Sequence, residues 1–327
     1  MRHTHIITHT DLDGVAAASV YIYLGRRASE EFKYSVLFAE PYNLDRVLEK
    51  SIPLKEDLRL AIMDIGVNPE NFSNVLKIIN ELRKLGATIE WYDHHKWDAS
   101  WKEELERIGV NLYIDPTTCA AGVVAKNAFK GLEEDDFLWE LVDAACSADL
   151  WIWDHPLAPL LYRVAGYQHG SRGDAWRRML IEEFSNCRLW WDSLYEVLEN
   201  YIDHELNGYN EVLRDAFKTL IAGKITVACV VKGRGPPGSS LAASYILNRL
   251  ETDLAIVVRE DGGVSLRSRV IDVREIAVCM GGGGHPRASG ARVKVPFYIR
   301  LLKVFSKKLY KTLILKRVLK EVERCVL

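Results

Sequence analysis

The sequence predicts an α/β protein, with an N-terminal, doubly wound parallel-sheet domain joined by helices to a smaller C-terminal α/β domain. Three observations carry this reading. With 327 residues, 48% of them hydrophobic, the chain is long enough for about two cores. Short apolar runs at 4–8, 34–38, 59–63, 88–92 and 110–114 alternate with helical segments, the signature of a parallel sheet. A helix-rich stretch from 135 to about 223 then interrupts that rhythm before it resumes.

Residues 4–8 read as a buried strand, and 14–23, rich in Ala and larger apolar residues, as the helix that follows. The 71–85 segment is a further helix of the first domain, and 136–149 and 189–206 are long helices. In the last third, 227–231, 253–258 and 263–268 read as strands, 239–248 as a helix and 233–238 as a loop. The expected boundaries are 1–189 for the first domain, 190–223 for a helical connector and 224–327 for the second domain. Residues 297–327 read as one C-terminal helix, with Leu301, Val304, Phe305, Leu309, Leu313, Val318 and Val322 on a stripe and lysines elsewhere. That helix is a candidate for packing or self-association into a homo-oligomer, and its basic face for contact with nucleic acid or a membrane surface.

Composition narrows the classes. The net charge of −2 gives no global basic field of the kind that tracks a long nucleic acid. No apolar run approaches the roughly 20 residues of a membrane span, and no signal-peptide pattern is present, so a cytoplasmic protein without a membrane role is expected. Cys119, Cys146, Cys187, Cys229, Cys279 and Cys325 contain no C-x-x-C pair and read as reduced, mostly core-filling thiols. A single glutamine, Gln168, hints at a thermophilic source.

Chemistry concentrates at the ends of the apolar runs. His9, Asp11 and Asp13 follow the first, Asp64 the third, and Asp93-His94-His95 the fourth, while Asp149 closes the 136–149 helix. The carboxyl ends of parallel strands open into one crevice, so these groups are expected to converge. Buried carboxylates without a cation repel one another, and two divalent ions roughly 3.5–4 Å apart would relieve that repulsion and clamp a phosphoryl group. The donor set suits Mn²⁺, Mg²⁺ or Zn²⁺.

Together with Gly281-Gly282-Gly283-Gly284-His285-Pro286-Arg287, these motifs resemble the DHH phosphoesterase superfamily, on its RecJ-like exonuclease and oligoribonuclease branch, with a C-terminal DHH-associated domain. The resemblance spans most of the chain. It implies an active site in the interdomain cleft and two divalent cations, Mn²⁺ first and Mg²⁺ as the alternative. His9, Asp11 and Asp64 would hold one ion and Asp13, Asp64, His94 and Asp149 the other. His9 stands only two residues before Asp11, unlike the pyrophosphatase spacing of four, which leaves His5, or no imidazole at all, as the alternatives at this position. Asp154 competes with Asp149, which is preferred because a small residue, Ala148, precedes it; Asp154 is then a surface or capping group. Asp93 would accept a hydrogen bond from a ligating imidazole, and His95 would touch a phosphate oxygen or protonate the leaving group. Arg267, Ser268, Gly282, Gly283, Gly284, His285 and Arg287 would bind substrate phosphate or the terminal nucleotide. Thr117 or Thr118 is expected to cap the helix that follows, whose amides are a candidate anion site. Tyr92, Trp97 and Trp101 are candidates for stacking bases.

The function this implies is removal of nucleotides from single-stranded DNA or short RNA by a metal-activated water. The alternatives are a phosphoesterase for small nucleotides, such as cyclic dinucleotides, nano-RNA or bisphosphorylated adenosine, and a non-catalytic replication or interaction module.

Overall fold

The computed structural model describes residues 3–132 and 135–326. The chain divides into two units, 1–198 and 199–327.

In the first unit, β1 (Thr4–Thr8), α1 (Leu12–Ala28), β2 (Tyr34–Phe38), α2 (Leu44–Ser51), β3 (Arg59–Met63), α3 (Phe72–Lys84), β4 (Thr88–Asp93), α4 (Ala99–Arg107) and β5 (Asn111–Ile114) alternate strictly. Helices α5 (Ala120–Asn127), α6 (Asp136–Asp149), α7 (Ala158–Ala165) and α8 (Gly170–Ser185) follow. The five strands form one parallel sheet in the order β2-β1-β3-β4-β5. Its inner strands read as unbroken apolar runs because both faces are covered. One face packs on α1, α5, α6 and α8 through Ile6, Met63, Val123, Leu141 and Leu180, and the other on α2 and α3 through Ile7, Leu48, Ile62 and Ile79.

One polar residue interrupts β4. Glu90 is 9% exposed, and its carboxylate accepts the Tyr21 hydroxyl at 2.6 Å and the Arg59 guanidinium at 3.1 Å. The buried charge is therefore paired and hydrogen-bonded, the condition under which it is tolerated.

Helix α9 (Ser193–Asp215) contains the division between the units. The second unit continues with β6 (Phe217–Ile221), β7 (Ile225–Lys232), α10 (Ser239–Arg249), β8 (Leu254–Arg259), β9 (Gly263–Ser268), α11 (Val273–Cys279), β10 (Gly283–His285), β11 (Ala288–Arg292), α12 (Phe297–Phe305) and α13 (Lys307–Val326). Its six strands form a mixed sheet ordered β10-β11-β9-β8-β7-β6, in which only the β7–β8 pairing is parallel. Valines of β7 and β8 pack on α11 and α13 on one face and on α10 on the other.

Three expectations are corrected. The helical connector does not reach 223: residues 217–221 form β6, and Ala222 and Gly223, both at positive φ, turn the chain into β7 as a hairpin. The C-terminal stripe is not one helix. Ser306, in extended backbone, separates α12 from α13, so that Val318 and Val322 are buried while Val304 and Phe305 point to solvent. Residue 327 lies outside the described residues. Four of the six cysteines are paired, Cys119 with Cys146 and Cys279 with Cys325. The partners are 27 and 46 residues apart and meet only because α5 packs on α6 and α11 on α13. Cys187 and Cys229 are free, and among the described residues no helix is long and apolar enough to cross a membrane.

Loops of this length imply about 4 kcal/mol of stabilisation per disulfide from restriction of the unfolded chain. Protein denatured without reductant is expected to titrate as two thiols per chain, and Cys279→Ser to lower the melting temperature by several degrees. Six reactive thiols in unreduced protein would refute the pairing.

Candidate metal centre

The groups that end β1, β3 and β4 meet at the carboxyl edge of the first sheet, joined by Asp149 from the last turn of α6. Three sets, each with one ligand atom per residue within 4.8 Å of the others, occur among the described residues: His9, Asp11 and Asp64; Asp64, His94 and His95; and Asp13, His94 and Asp149. His94 Nε2 lies 3.8 Å from Asp13 Oδ2, 3.6 Å from Asp64 Oδ1 and 3.4 Å from Asp149 Oδ2. Asp64 and His94 each belong to two sets. All six residues expected as ligands are thus brought together, with His95 added, whereas His5 instead faces Ser35 and Asp154 accepts the Ser147 hydroxyl in the loop after α6.

Local backbone chemistry aims each carboxylate. Asp11 caps α1, accepting the Gly14 amide through Oδ1 while Oδ2 stands 2.9 Å from His9 Nδ1. A Cβ on Gly14 would lie 2.5 Å from the His9 carbonyl oxygen, so the tight His9-to-Gly14 turn admits only glycine there. Asp13 accepts the Ala120 and Ala121 amides at 2.7 and 2.8 Å. These are the helix amides expected to bind a substrate anion; the anion they bind is Asp13 itself. Neither threonine caps α5: Thr117 donates to Asp115, and Thr118 lies against Cys146. Asp64 follows β3 at φ 55°, a left-handed conformation that non-glycine residues adopt at a cost of about 1 kcal/mol or more, while its amide bonds to the Tyr92 carbonyl.

The electrostatics are those of a cation site. Burial, reinforced by the charge on Asp11, raises the Asp64 carboxyl above its ordinary range. Burial and the charges on Asp64 and Asp149 lift Asp13 well above it. Burial and the charges on Asp64 and Asp11, against the pull of His94, bring Asp149 up to about 7. For His94, burial acts downward but is outweighed by the hydrogen bond to Asp64 and the charges on Asp13 and Asp149, which lift it to about 10. Asp64 Oδ2 is buried with no hydrogen-bond partner. An orphaned carboxylate oxygen inside a self-repelling set of carboxylates and imidazoles fits divalent cations, which satisfy the oxygen and cancel the repulsion.

Around this set the structure adds groups the sequence reading missed or misjudged. Asp93, fully buried, accepts from His95 Nδ1 at 2.8 Å and from Trp97 Nε1 at 2.6 Å, so the imidazole it fixes is His95 and not His94. Trp97 and Tyr92 are buried against Trp91 and Tyr113 and offer no face for stacking, and Trp101 packs on Phe72. Glu40, two residues past β2, touches His9 Nε2 at 3.1 Å and accepts the Thr10 hydroxyl at 2.9 Å. Its position just beyond a strand's carboxyl end was the available signal. Arg177 of α8, 5% exposed, donates to the Thr10 carbonyl.

In the second unit, β10 and β11 form a hairpin whose tip is Pro286-Arg287. His285 and Arg287 are exposed, and open space lies over Gly283. Gly282 and Gly284 serve the hairpin itself, since a Cβ would sit 2.1 Å from the Gly290 oxygen and 2.7 Å from the Ala288 oxygen respectively. Arg267 lies opposite Ala288 in β9, beside the hairpin. Ser268 is buried; its hydroxyl donates to the Asp253 carbonyl and accepts from Val270 and Ile271, an arrangement that closes a turn and leaves nothing for substrate.

Two outcomes follow from the charge balance. The Asp149 and His94 values lie above those of an unfolded chain, about 3.9 and 6.5. Their contribution to stability is therefore complete below the unfolded values and lost as pH climbs through the folded ones. Chelator-treated protein is expected to melt at lower temperature as pH rises from 5 to 9, and a Mn²⁺ excess of about 100 times the dissociation constant to restore about 2.7 kcal/mol per site at pH 8. A melting temperature that is flat across this window contradicts the charge balance. Asp64→Asn removes one repelling charge and keeps a residue tolerant of positive φ. In chelator at pH 8 it is expected to melt above wild type, yet to gain little from Mn²⁺ in calorimetry.

Comparisons with known proteins agree with this architecture. A DHHA1 domain model matches residues 223–311. Over 312 residues, 90% of this chain and 74% of the relative, the chain is 27% identical to the oligoribonuclease NrnB of Bacillus subtilis strain 168. RecJ from Thermus thermophilus, solved in complex with Mn²⁺, superposes with a TM-score of 0.58 at 15% identity, over 96% of this chain and 52% of that one. The pGpG-specific phosphodiesterase PggH from Vibrio cholerae does so at 0.53 and 15%, over 94% and 98%. The parallel sheet, the mixed second sheet and the motifs in order along them agree with the likeness to DHH proteins, and the chain carries a C-terminal DHHA1 domain.

Proposed function

We propose that this chain is a divalent-cation-dependent phosphodiesterase that removes nucleotides from the end of short single-stranded oligonucleotides, with short RNA favoured over DNA. The observation that carries the reading is the convergence of Asp13, Asp64, His94 and Asp149 with His9 and Asp11 around a buried carboxylate oxygen that makes no hydrogen bond. His9, Asp11 and Asp64 would hold one cation and Asp13, Asp64, His94 and Asp149 the second, with Mn²⁺ expected and Mg²⁺ the alternative. Such a pair, when bound, lowers the pKa of water and neutralises charge on phosphoryl oxygens.

The remaining roles fall to side chains. With Nδ1 held by Asp93, His95 presents Nε2, and the charge of Asp93 outweighs burial to lift its pKa above the ordinary histidine value. A charged His95 can donate to a phosphate oxygen or protonate the departing sugar oxygen. In the DHHA1 unit, Arg287 and Arg267 offer guanidinium forks and His285 an imidazole for phosphate, and the open backbone at Gly283 allows close approach.

Short substrates are supported by two features. The oligoribonuclease likeness extends over 90% of this chain, and the net charge of −2 offers no field for tracking a long polymer.

End-labelled RNA and DNA oligonucleotides of graded length test the reading. Stepwise loss from one terminus is expected with Mn²⁺, abolished by chelator and reduced on the order of 100- to 1000-fold in Asp149→Asn. Arg287→Ala is expected to raise KM about tenfold with kcat nearly unchanged, the mark of lost uniform binding. Cleavage of dinucleotides alone would move the assignment to the small-nucleotide alternative, and wild-type protein inert with every cation would leave a non-catalytic module.

A further inference from the structure

We propose that Glu40 is a positioning residue: it holds the His9 ring with its proton on Nε2, so that Nδ1 is the atom offered to the cation site shared with Asp11 and Asp64. This rests on the metal-dependent reading above.

Carboxylates only accept hydrogen bonds, so both ring nitrogens of His9 face acceptors, Nε2 at 3.1 Å from Glu40 Oε2 and Nδ1 on the Asp11 side; a cation held by Asp11 and Asp64 would take the place of the Nδ1 proton and leave the Nε2 proton on Glu40. Nδ1 lies 2.9 Å from Asp11 Oδ2 and 3.5 Å from Asp64 Oδ2, the oxygen that makes no hydrogen bond. Only Thr10 separates His9 from Asp11, so the ring lies alongside that aspartate and meets it with the nitrogen nearer the backbone. Glu40 is itself fixed. Its Oε1 accepts the Thr10 hydroxyl at 2.9 Å, and its amide donates to Asn43 Oδ1 at 2.8 Å. One carboxylate therefore grips two consecutive residues of the turn. A carboxylate behind a ligating imidazole sets the tautomer, holds the ring plane and raises the basicity of the opposite nitrogen. The short spacing between His9 and Asp11 is compensated by a residue just beyond the neighbouring strand.

Calorimetric titration of Mn²⁺ into wild type, Glu40→Ala and Glu40→Gln separates this role from a structural one. Wild type is expected to bind two equivalents. In Glu40→Ala one equivalent should be weakened about 10- to 100-fold and the other left unchanged, and Glu40→Gln, whose amide oxygen still accepts from Nε2, should lie within about tenfold of wild type. Imidazole ¹⁵N spectra of the wild type loaded with Zn²⁺ should show His9 protonated at Nε2. The opposite tautomer overturns the proposal. So does an equal loss of both equivalents in Glu40→Ala accompanied by a lower melting temperature in chelator, which would mark Glu40 as a fold residue. Wild type that binds no Mn²⁺ defeats the metal-centre reading itself, an outcome distinct from normal binding in Glu40→Ala, which defeats only the role of Glu40.

Discussion

Mutual repulsion among buried carboxylates is the constraint on which the first unit turns. Asp13 and Asp64 are 1% and 3% exposed and share one edge of a sheet with Asp11 and Asp149. Taking even one carboxylate from water costs several kcal/mol unless it is paired. The fold meets this with several devices: α5 amides on Asp13, a helix-capping bond on Asp11, and imidazoles of His9 and His94 between the acids. Among these acids, Asp64 Oδ2 is a buried oxygen left without a hydrogen bond. Within this cluster of acids, that oxygen is the place where an added cation would relieve both the burial and the repulsion.

Much of this is legible in the sequence because parallel strands covered on both faces have to be apolar throughout. The five runs of the first sheet stand out against their surroundings, and an acid placed directly after such a run can only be at the sheet's edge. The same logic fails for β6, whose residues Phe217, Lys218 and Leu220 are exposed at an edge of the second sheet and carry no alternation. It fails for the disulfides because helix packing, not spacing, decides which sulfurs meet. For Asp93, adjacency in sequence favours His94 as the partner, whereas the ring that bends back to the carboxylate belongs to His95.

The glycine run teaches a related lesson. Its four residues suggest backbone laid open for a ligand, but two of them are glycine because strands β10 and β11 approach too closely for any side chain. Ser268 likewise serves the loop leading to α11. What the hairpin leaves facing solvent is narrower than the motif: Arg287, His285 and the surface of Gly283. Motif letters thus mix residues that build a platform with those that stand on it.

The bond between Cys119 and Cys146 bears on all of this. Cys119 immediately precedes the two amides that grip Asp13, and Cys146 lies one helical turn before Asp149. The amides that hold Asp13 and the turn that carries Asp149 are thereby joined through one covalent bridge. Heat that loosens helix packing elsewhere cannot easily spread this pair apart, so the geometry of the cage outlasts the softness of the walls around it.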